Sequence, residues 1–238
     1  MGYIDIHSHI LPAVDDGAAN IDEAIALLIQ EKENGVSSVI CTPHFYPEVE
    51  ELEQHLSKCH NAFGTLKEAI KLRDLPDIFL GHEVQYFTGI SKCADLDKLC
   101  IEGTNILLLE LPFLLPLSEY MLNEVESIDR DLGITVILAH IERYANDRLF
   151  KKLLKIIANG DAKGQINADS VLNDLSSKTV NKLLKRGYVS FIASDTHSPS
   201  SRPVLIKKAY SALKEKYYSQ LVAIKKNTDK LEGIIKGE

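Results

Sequence analysis

Apolar positions along the 238-residue chain alternate between two patterns. Short runs of Val, Ile and Leu, ending in polar residues, are separated by longer stretches whose apolar residues recur three and four apart. The runs are YIDIHSH, VSSVICTPH, IFLGHEVQY, NILLLELP, ITVILAHIER, GQINADS and YVSFIASDTH, seven candidate strands of which six are near-continuously apolar. Continuous apolar strands divided by helices of about ten residues or more predict a parallel sheet covered by helices.

The helices between them carry their own stop and start signals. Ile21, Ala24, Ile25 and Leu28 mark a helix from about Asn20 to Asn34, with Asn20 able to cap, Glu23 three residues on, and Gly35 to end it. Leu52, Leu56, Phe63, Leu66 and Ile70 lie on one face of a long amphipathic segment. Further helices are expected from about Ser118 to Leu132 before Gly133, through Phe150 to Ile157 before Gly160, and from about Ser177 to Arg186 before Gly187. Beyond Arg202 the chain reads as helical to its end. No Pro- or Gly-rich linker and no internal repeat divides it, so residues 1–238 read as one α/β domain.

Each strand starts apolar and ends in a residue able to bind a metal or a hydrogen-bond partner. In order these are His7, His44, Glu83, Glu110, His140, Asn167 and Asp195. In an α/β barrel the strand C-termini form a single face, so residues far apart in sequence would meet there. His7 and His9, two apart on a strand, share one side of it, and Asp16 follows on a loop from which it can fold back. His140 and Arg143 end one run, and Asp195 and His197 another. His55, His60 and His82 fall on helices or beside Glu83 and read as structural or solvated, while Asp15 has no evident role.

Leaving Asn167 aside, the nine nitrogen and oxygen donors are too many for one ion and suit two or three. The mixture of imidazole and carboxylate without thiolate favours Mn, Fe or Zn. A formal charge of −7 argues against non-specific nucleic-acid binding. Lys207, Lys208, Lys214, Lys216, Lys225 and Lys226 fall at helical spacing, as on a solvated helix face. No secretory leader and no apolar run of about 18 residues is evident, so a cytoplasmic protein without membrane insertion is expected. Cys41, Cys59, Cys93 and Cys100 show no CxxC spacing, which argues against a disulfide framework and a structural zinc.

The order HSH, DDG, TPH, GxE, LE, HIER, SDTH resembles the polymerase-and-histidinol-phosphatase (PHP) family, and DIHSHILPxVDDG and AHIERY are its specific parts. Within it the chain is most similar to the bacterial manganese-dependent tyrosine phosphatases of capsule and exopolysaccharide biosynthesis, the CpsB/YwqE type, from Tyr3 to about Pro203. The resemblance implies a distorted (β/α)7 TIM-like barrel holding two to three divalent ions, manganese foremost. It implies His7, His9, Asp16, His44, Glu83, Glu110, His140, Asp195 and His197 as metal ligands, with Arg143 and Arg202 holding phosphate. The expected substrate is a phosphotyrosine protein, a bacterial tyrosine kinase of polysaccharide export, and homo-oligomerisation is compatible with the family. Relatives often carry Asn-Pro near the last helix; Asn227-Thr228 departs from that and leaves the docking of this helix open.

On this reading a metal-bridged hydroxide attacks phosphorus, and arginine forks neutralise its oxygens. A phenol leaves with a pKa near about 10, so no dedicated acid is required. A thiol mechanism needs Arg six residues after Cys, and those positions are Pro47, Thr65, Leu99 and Ile106. The alternatives are a small-molecule phosphatase of the same fold, such as one for histidinol phosphate, a metal-dependent amidohydrolase, and a non-catalytic binding module. No strand ends in the Lys that amidohydrolases commonly carbamylate, and none of the nine donors is missing. No large insertion is present to wall off a small substrate.

Four carboxylates held together repel one another, and three divalent ions would bring the formal charge from −7 to −1. Chelation is therefore expected to lower the melting temperature as well as activity. An unchanged melting temperature in protein shown by elemental analysis to be metal-free would overturn this.

Overall fold

The computed structural model describes residues 2–112, 115–174 and 178–237. Among these residues nine strands run parallel in two sheets. One has the order β1-β2-β4, from β1 (Tyr3–Ser8), β2 (Val36–Cys41) and β4 (Asp77–Leu80); the other has the order β3-β5-β6-β7-β8-β9. Its members are β3 (His44–Phe45), β5 (Glu83–Gln85), β6 (Ile106–Glu110), β7 (Thr135–Leu138), β8 (Lys163–Asn167) and β9 (Phe191–Ala193).

The nine segments make the seven predicted staves, because two staves are broken. Thr42 and Pro43 separate β2 from β3, and Gly81 and His82 separate β4 from β5. Pro43 has no N–H to give a ladder. Across the breaks the backbone still pairs, with the Gly81 N–H donating to Cys41 O at 2.9 Å and the Glu83 N–H to Pro43 O at 3.0 Å. Gly81 fits because a Cβ there would stand 3.0 Å from Ile40 and 3.2 Å from Ile101. Past the end of β9 the Asp195 N–H donates to His7 O and the His9 N–H to Thr196 O, both at 2.9 Å, so the last stave meets the first and the sheet curls into a distorted barrel.

The helices fall close to their predicted places. Asn20 caps α1 (Ile21–Glu33) through the N–H groups of Asp22 and Glu23, while the Glu23 carboxylate reaches back to the Ala19 N–H. Leu56, Cys59, Phe63 and Leu66 of α2 (Leu52–Ile70) are buried. Ser118 caps α3 (Glu119–Leu132), which ends at Gly133 with φ 67°, and α4 (Phe150–Asn159) ends at Gly160 with φ 95°. The stretch between β5 and β6 departs from the repeat, with two short 3-10 turns in place of a crossover helix. Past β8 come α5 (Ala168–Asp174) and α6 (Lys178–Lys185); Ser177, the predicted start of α6, lies outside the described residues.

The helical end is two pieces, α7 (Ile206–Lys216) and α8 (Tyr218–Lys236), divided at Tyr217. With Asn227-Thr228 in its sequence, α8 docks through side chains. Asn227 donates to Ser190 O at 3.1 Å, Glu232 accepts from Ser38 Oγ at 2.7 Å, and Leu231 enters the barrel core with Ile4, Ile40 and Phe191. The larger apolar cluster lies between the sheet and its helices. Among the described residues no helix is long and apolar enough to cross a membrane.

One polar pair lies deep between β1 and α1. Asp5 accepts from the Ser194 N–H at 3.0 Å and from the Ser194 hydroxyl, while no donor reaches either carboxylate oxygen of Glu31. Burial raises the pKa of both carboxyls, and repulsion from Asp5 raises that of Glu31 further, so a proton shared between them is the arrangement that satisfies Glu31. A raised folded pKa gives stability that is full below the unfolded value and is lost as pH rises through the folded one. Glu31→Gln is therefore expected to raise the melting temperature at pH 8 by more than at pH 4, where wild type and variant converge; a shift equal at both pH values would refute it.

Candidate metal centre

All nine predicted donors gather where the staves end, around a cleft of about 820 Å³. His7 and His9 come from the end of β1 and the residue just past it, and their Nε2 atoms lie 3.2 Å apart. Glu83 opens β5, Glu110 closes β6, His140 follows β7, and Asp195 and His197 follow β9. Asp16 folds back as expected, with Oδ1 3.4 Å from His197 Nε2 and 3.6 Å from His44 Nε2. Three overlapping groups have ligand atoms within 4.8 Å of one another: His9, Asp16, His44 and His197; His7, His9 and Asp195; and His44, Glu83 and Glu110. His140 Nε2 joins them at 3.1 Å from Glu83 Oε1 and 3.3 Å from Glu110 Oε1.

The chain bends sharply to achieve this. Gly17 lies so close over His9 that a Cβ would stand 2.1 Å from the His9 carbonyl oxygen. His140 and Asp195 adopt left-handed backbone, with φ 32° and 52°. Such conformations cost about 1–3 kcal/mol in a non-glycine residue and persist where surrounding structure over-determines them.

Buried side chains behind the donors fix their direction. Asp15, without a role in the sequence reading, accepts from His9 Nδ1 at 2.7 Å, the His44 N–H at 3.1 Å and the Gly17 N–H at 3.0 Å. That leaves His9 Nε2 as the free lone pair facing the cluster. Gln165, also missed, accepts the His140 N–H at 2.8 Å and faces His7 Nδ1 at 3.3 Å, turning His7 Nε2 inward. Its amide donates to Asn167 Oδ1 at 2.8 Å, and Asn167 donates to Asp195 Oδ2 at 2.6 Å. Gln165 had one available signal: it lies two residues before Asn167 on β8 and so shares its side of the strand.

Ionisation in the cluster is shaped by crowding. Burial disfavours a charged His9, yet Asp15, Asp195 and Glu83 outweigh it and hold its pKa well above the ordinary value. Asp195 and Glu83 would be raised by burial but are held well below the carboxylate range by imidazoles, His7 foremost. His140 is pushed up to about 9 against its burial by Glu110 and Glu83, whereas burial and His9 lower His197 to about 4. The field demands positive charge, more than these imidazoles share evenly.

A divalent cation fits that demand. Glu83 Oε2 lies 2.9 Å from His44 Nδ1, 3.2 Å from His7 Nε2 and 3.4 Å from His9 Nε2, yet it has no hydrogen-bond partner. His140 Nδ1 and His197 Nε2 are likewise buried without one. A carboxylate oxygen facing three imidazole nitrogens unpaired is a donor set for cations rather than a proton network.

Two guanidinium groups close the rim. Arg143 Nη2 donates to Asp195 Oδ2 at 2.9 Å, and Arg202 Nη2 lies 2.7 Å from the same oxygen. Both remain partly open to the cleft, 34% and 40% exposed. Tyr46 stacks on His44 with ring centroids 4.9 Å apart and lines the cleft with Tyr86 and Leu115. Among the described residues no strand ends in Lys, and Lys163 stands at the start of β8.

The family model for capsular polysaccharide synthesis proteins of the CpsB/CapC type matches residues 3–231. The chain belongs to that family. It is 32% identical over 233 residues to CapC of Staphylococcus aureus, covering 94% of this chain and 89% of that protein. It is 30% identical over 220 residues to the tyrosine-protein phosphatase CpsB of Streptococcus agalactiae serotype III, covering 88% and 89%. In structure it matches one of the crystal structures of YwqE from Bacillus subtilis and CpsB from Streptococcus pneumoniae, described as unique metal-dependent tyrosine phosphatases. The TM-score is 0.81 at 25% identity, over 99% of this chain and 95% of that one. A zinc-bound histidinol phosphate phosphatase from Lactococcus lactis, at TM-score 0.57 and 15% identity, shares the fold. The expected PHP-type barrel is thus borne out.

If Asp15 aims His9 and His44, its loss should weaken metal binding by roughly 10–100-fold. Calorimetric titration of stripped Asp15→Ala with Mn²⁺ measures this directly, and wild-type affinity would refute the role.

Proposed function

We propose that this chain is a metal-dependent phosphoric monoester hydrolase acting on tyrosine phosphate in proteins. The observation that carries the reading is the convergence of Arg143 and Arg202 on one Asp195 oxygen at the rim of the donor cluster. Family membership supports it. The metal ligands are His7, His9, Asp16, His44, Glu83, Glu110, His140, Asp195 and His197. They fit manganese best, with iron or zinc compatible, because every donor is nitrogen or oxygen.

Divalent ions at this cluster would supply Lewis-acid charge neutralisation and a water of lowered pKa. The chain's own residues do the rest. Arg143 and Arg202 turn from Asp195 to the phosphoryl oxygens, where planar forks match a tetrahedral anion better than a point charge does. Tyr46, Tyr86 and Leu115 flank the cleft and contact the phenyl ring and neighbouring residues of the substrate. The phenolate departs without a dedicated acid, given its pKa near about 10.

The partner we assign is a bacterial tyrosine kinase of polysaccharide export, met in the cytoplasm by a protein acting as a single domain. A metal-supplemented assay comparing phosphotyrosine peptide, phosphoserine peptide and histidinol phosphate tests the assignment. Phosphotyrosine peptide should be turned over fastest, and Arg143→Ala should lose about 10²-fold or more of that rate with full metal content. A preference for histidinol phosphate, or wild-type turnover by Arg143→Ala, would overturn it.

A further inference from the structure

A second group of ligating side chains lies outside the donor cluster and has no part in the proposed reaction. His55 and Cys59 stand one turn apart on the inner face of α2, and His82 occupies the break between β4 and β5. All three are buried, at 0%, 0% and 2% exposure. His55 Nε2 lies 2.9 Å from His82 Nδ1 and 3.5 Å from Cys59 Sγ, and one ligand atom from each falls within 4.8 Å of the others. Zinc held tetrahedrally, with Zn–N about 2.0–2.1 Å and Zn–S about 2.3 Å, sets its ligands roughly 3.3 Å apart for N···N and roughly 3.6 Å for N···S. The two observed separations lie within a few tenths of an ångström of those edges.

The surroundings complete the pattern. Glu50 accepts from His55 Nδ1 at 3.0 Å, which directs the His55 Nε2 lone pair toward Cys59 and His82. A carboxylate behind a ligating histidine is the usual outer support of a zinc site. Lys58 holds Glu50 in place at 3.1 Å. The buried Cys59 thiol lies 3.5 Å from His55 Nε2 and 3.8 Å from its Nδ1.

We propose that His55, Cys59 and His82 hold a zinc ion separate from the catalytic metals. On binding, the Cys59 S–H gives up its proton to solvent and the thiolate takes its place on the ion. Two neutral imidazoles, one thiolate and Zn²⁺ leave one positive charge, which the Glu50 carboxylate balances. Thiolate in the set selects zinc over manganese, whereas the catalytic cluster contains no sulfur, so the two sites sort different metals. His82 is the residue before Glu83, so an ion here would pin α2 to the segment that delivers the central carboxylate of the cleft. The sequence reading found no structural zinc because it sought CxxC spacing, and these ligands come as His-x3-Cys with a distant His.

Cobalt substitution tests the assignment without relying on catalysis. Full-length protein produced in cobalt-supplemented medium should show a near-ultraviolet thiolate-to-cobalt charge-transfer band, which the sulfur-free catalytic cluster cannot generate. Cys59→Ser should lose that band and one bound metal per chain while keeping the ions held by the sulfur-free cluster. A cobalt-loaded wild type without the band, or a variant that retains it, would overturn the site. X-ray absorption at the zinc edge of zinc-loaded wild type gives a readout that needs no variant. A sulfur shell at about 2.3 Å supports the site, and nitrogen and oxygen shells alone refute it.

Discussion

The structure depends on one constraint: carboxylates and imidazoles are buried together in numbers that cannot be satisfied by hydrogen bonds among themselves. Glu83 is the centre of this, 1% exposed, with one oxygen ringed by three imidazoles and bonded to none. Burying an ionised carboxylate costs heavily unless opposite charge is close. Parallel strands bring the donors together, because every stave ends on the same side and six of the seven carry a donor there, β8 ending instead in Asn167. Cations resolve what hydrogen bonds cannot.

The residues behind the donors do as much as the donors. Asp15 organises His9, His44 and the tight turn at Gly17 at once, and Gln165 links His7, His140 and Asn167. Through Asn167 that line reaches Asp195, the residue on which both arginines rest. The arginine-bearing rim and the floor of the cluster are thus one connected system of polar contacts. Asp195 is held low by the imidazoles beside it, so it remains an anion able to hold two cationic side chains in waiting.

Much of this was legible in the chain. Strand-end donors stood out because apolar runs stop abruptly at them, and Asn20, Ser118 and Gly133 cap helices by local chemistry that needs no tertiary context. What escaped depends on the fold. Asp15 and Gln165 are ordinary polar residues whose importance comes from partners such as His44, 29 residues away from Asp15. The two broken staves read as whole in the sequence: Pro43 in VSSVICTPH signals a missing ladder donor, but not that pairing passes there from one sheet to the other. The crossover replaced by 3-10 turns between β5 and β6 left no amphipathic pattern to read either way.

The barrel closes where Asp195 donates to the His7 carbonyl, joining its last stave to its first at the donor cluster itself. The seam and the site are the same place. During synthesis His7 and His9 emerge almost at once, but their partners at 195 and 197 arrive only when most of the chain has been made. Contacts so distant in sequence form late and slowly. A chain that stops short of residue 195 lacks two of the nine donors, Asp195 and His197. The donor cluster is therefore complete only in the closed ring, because its first and last staves both contribute to it.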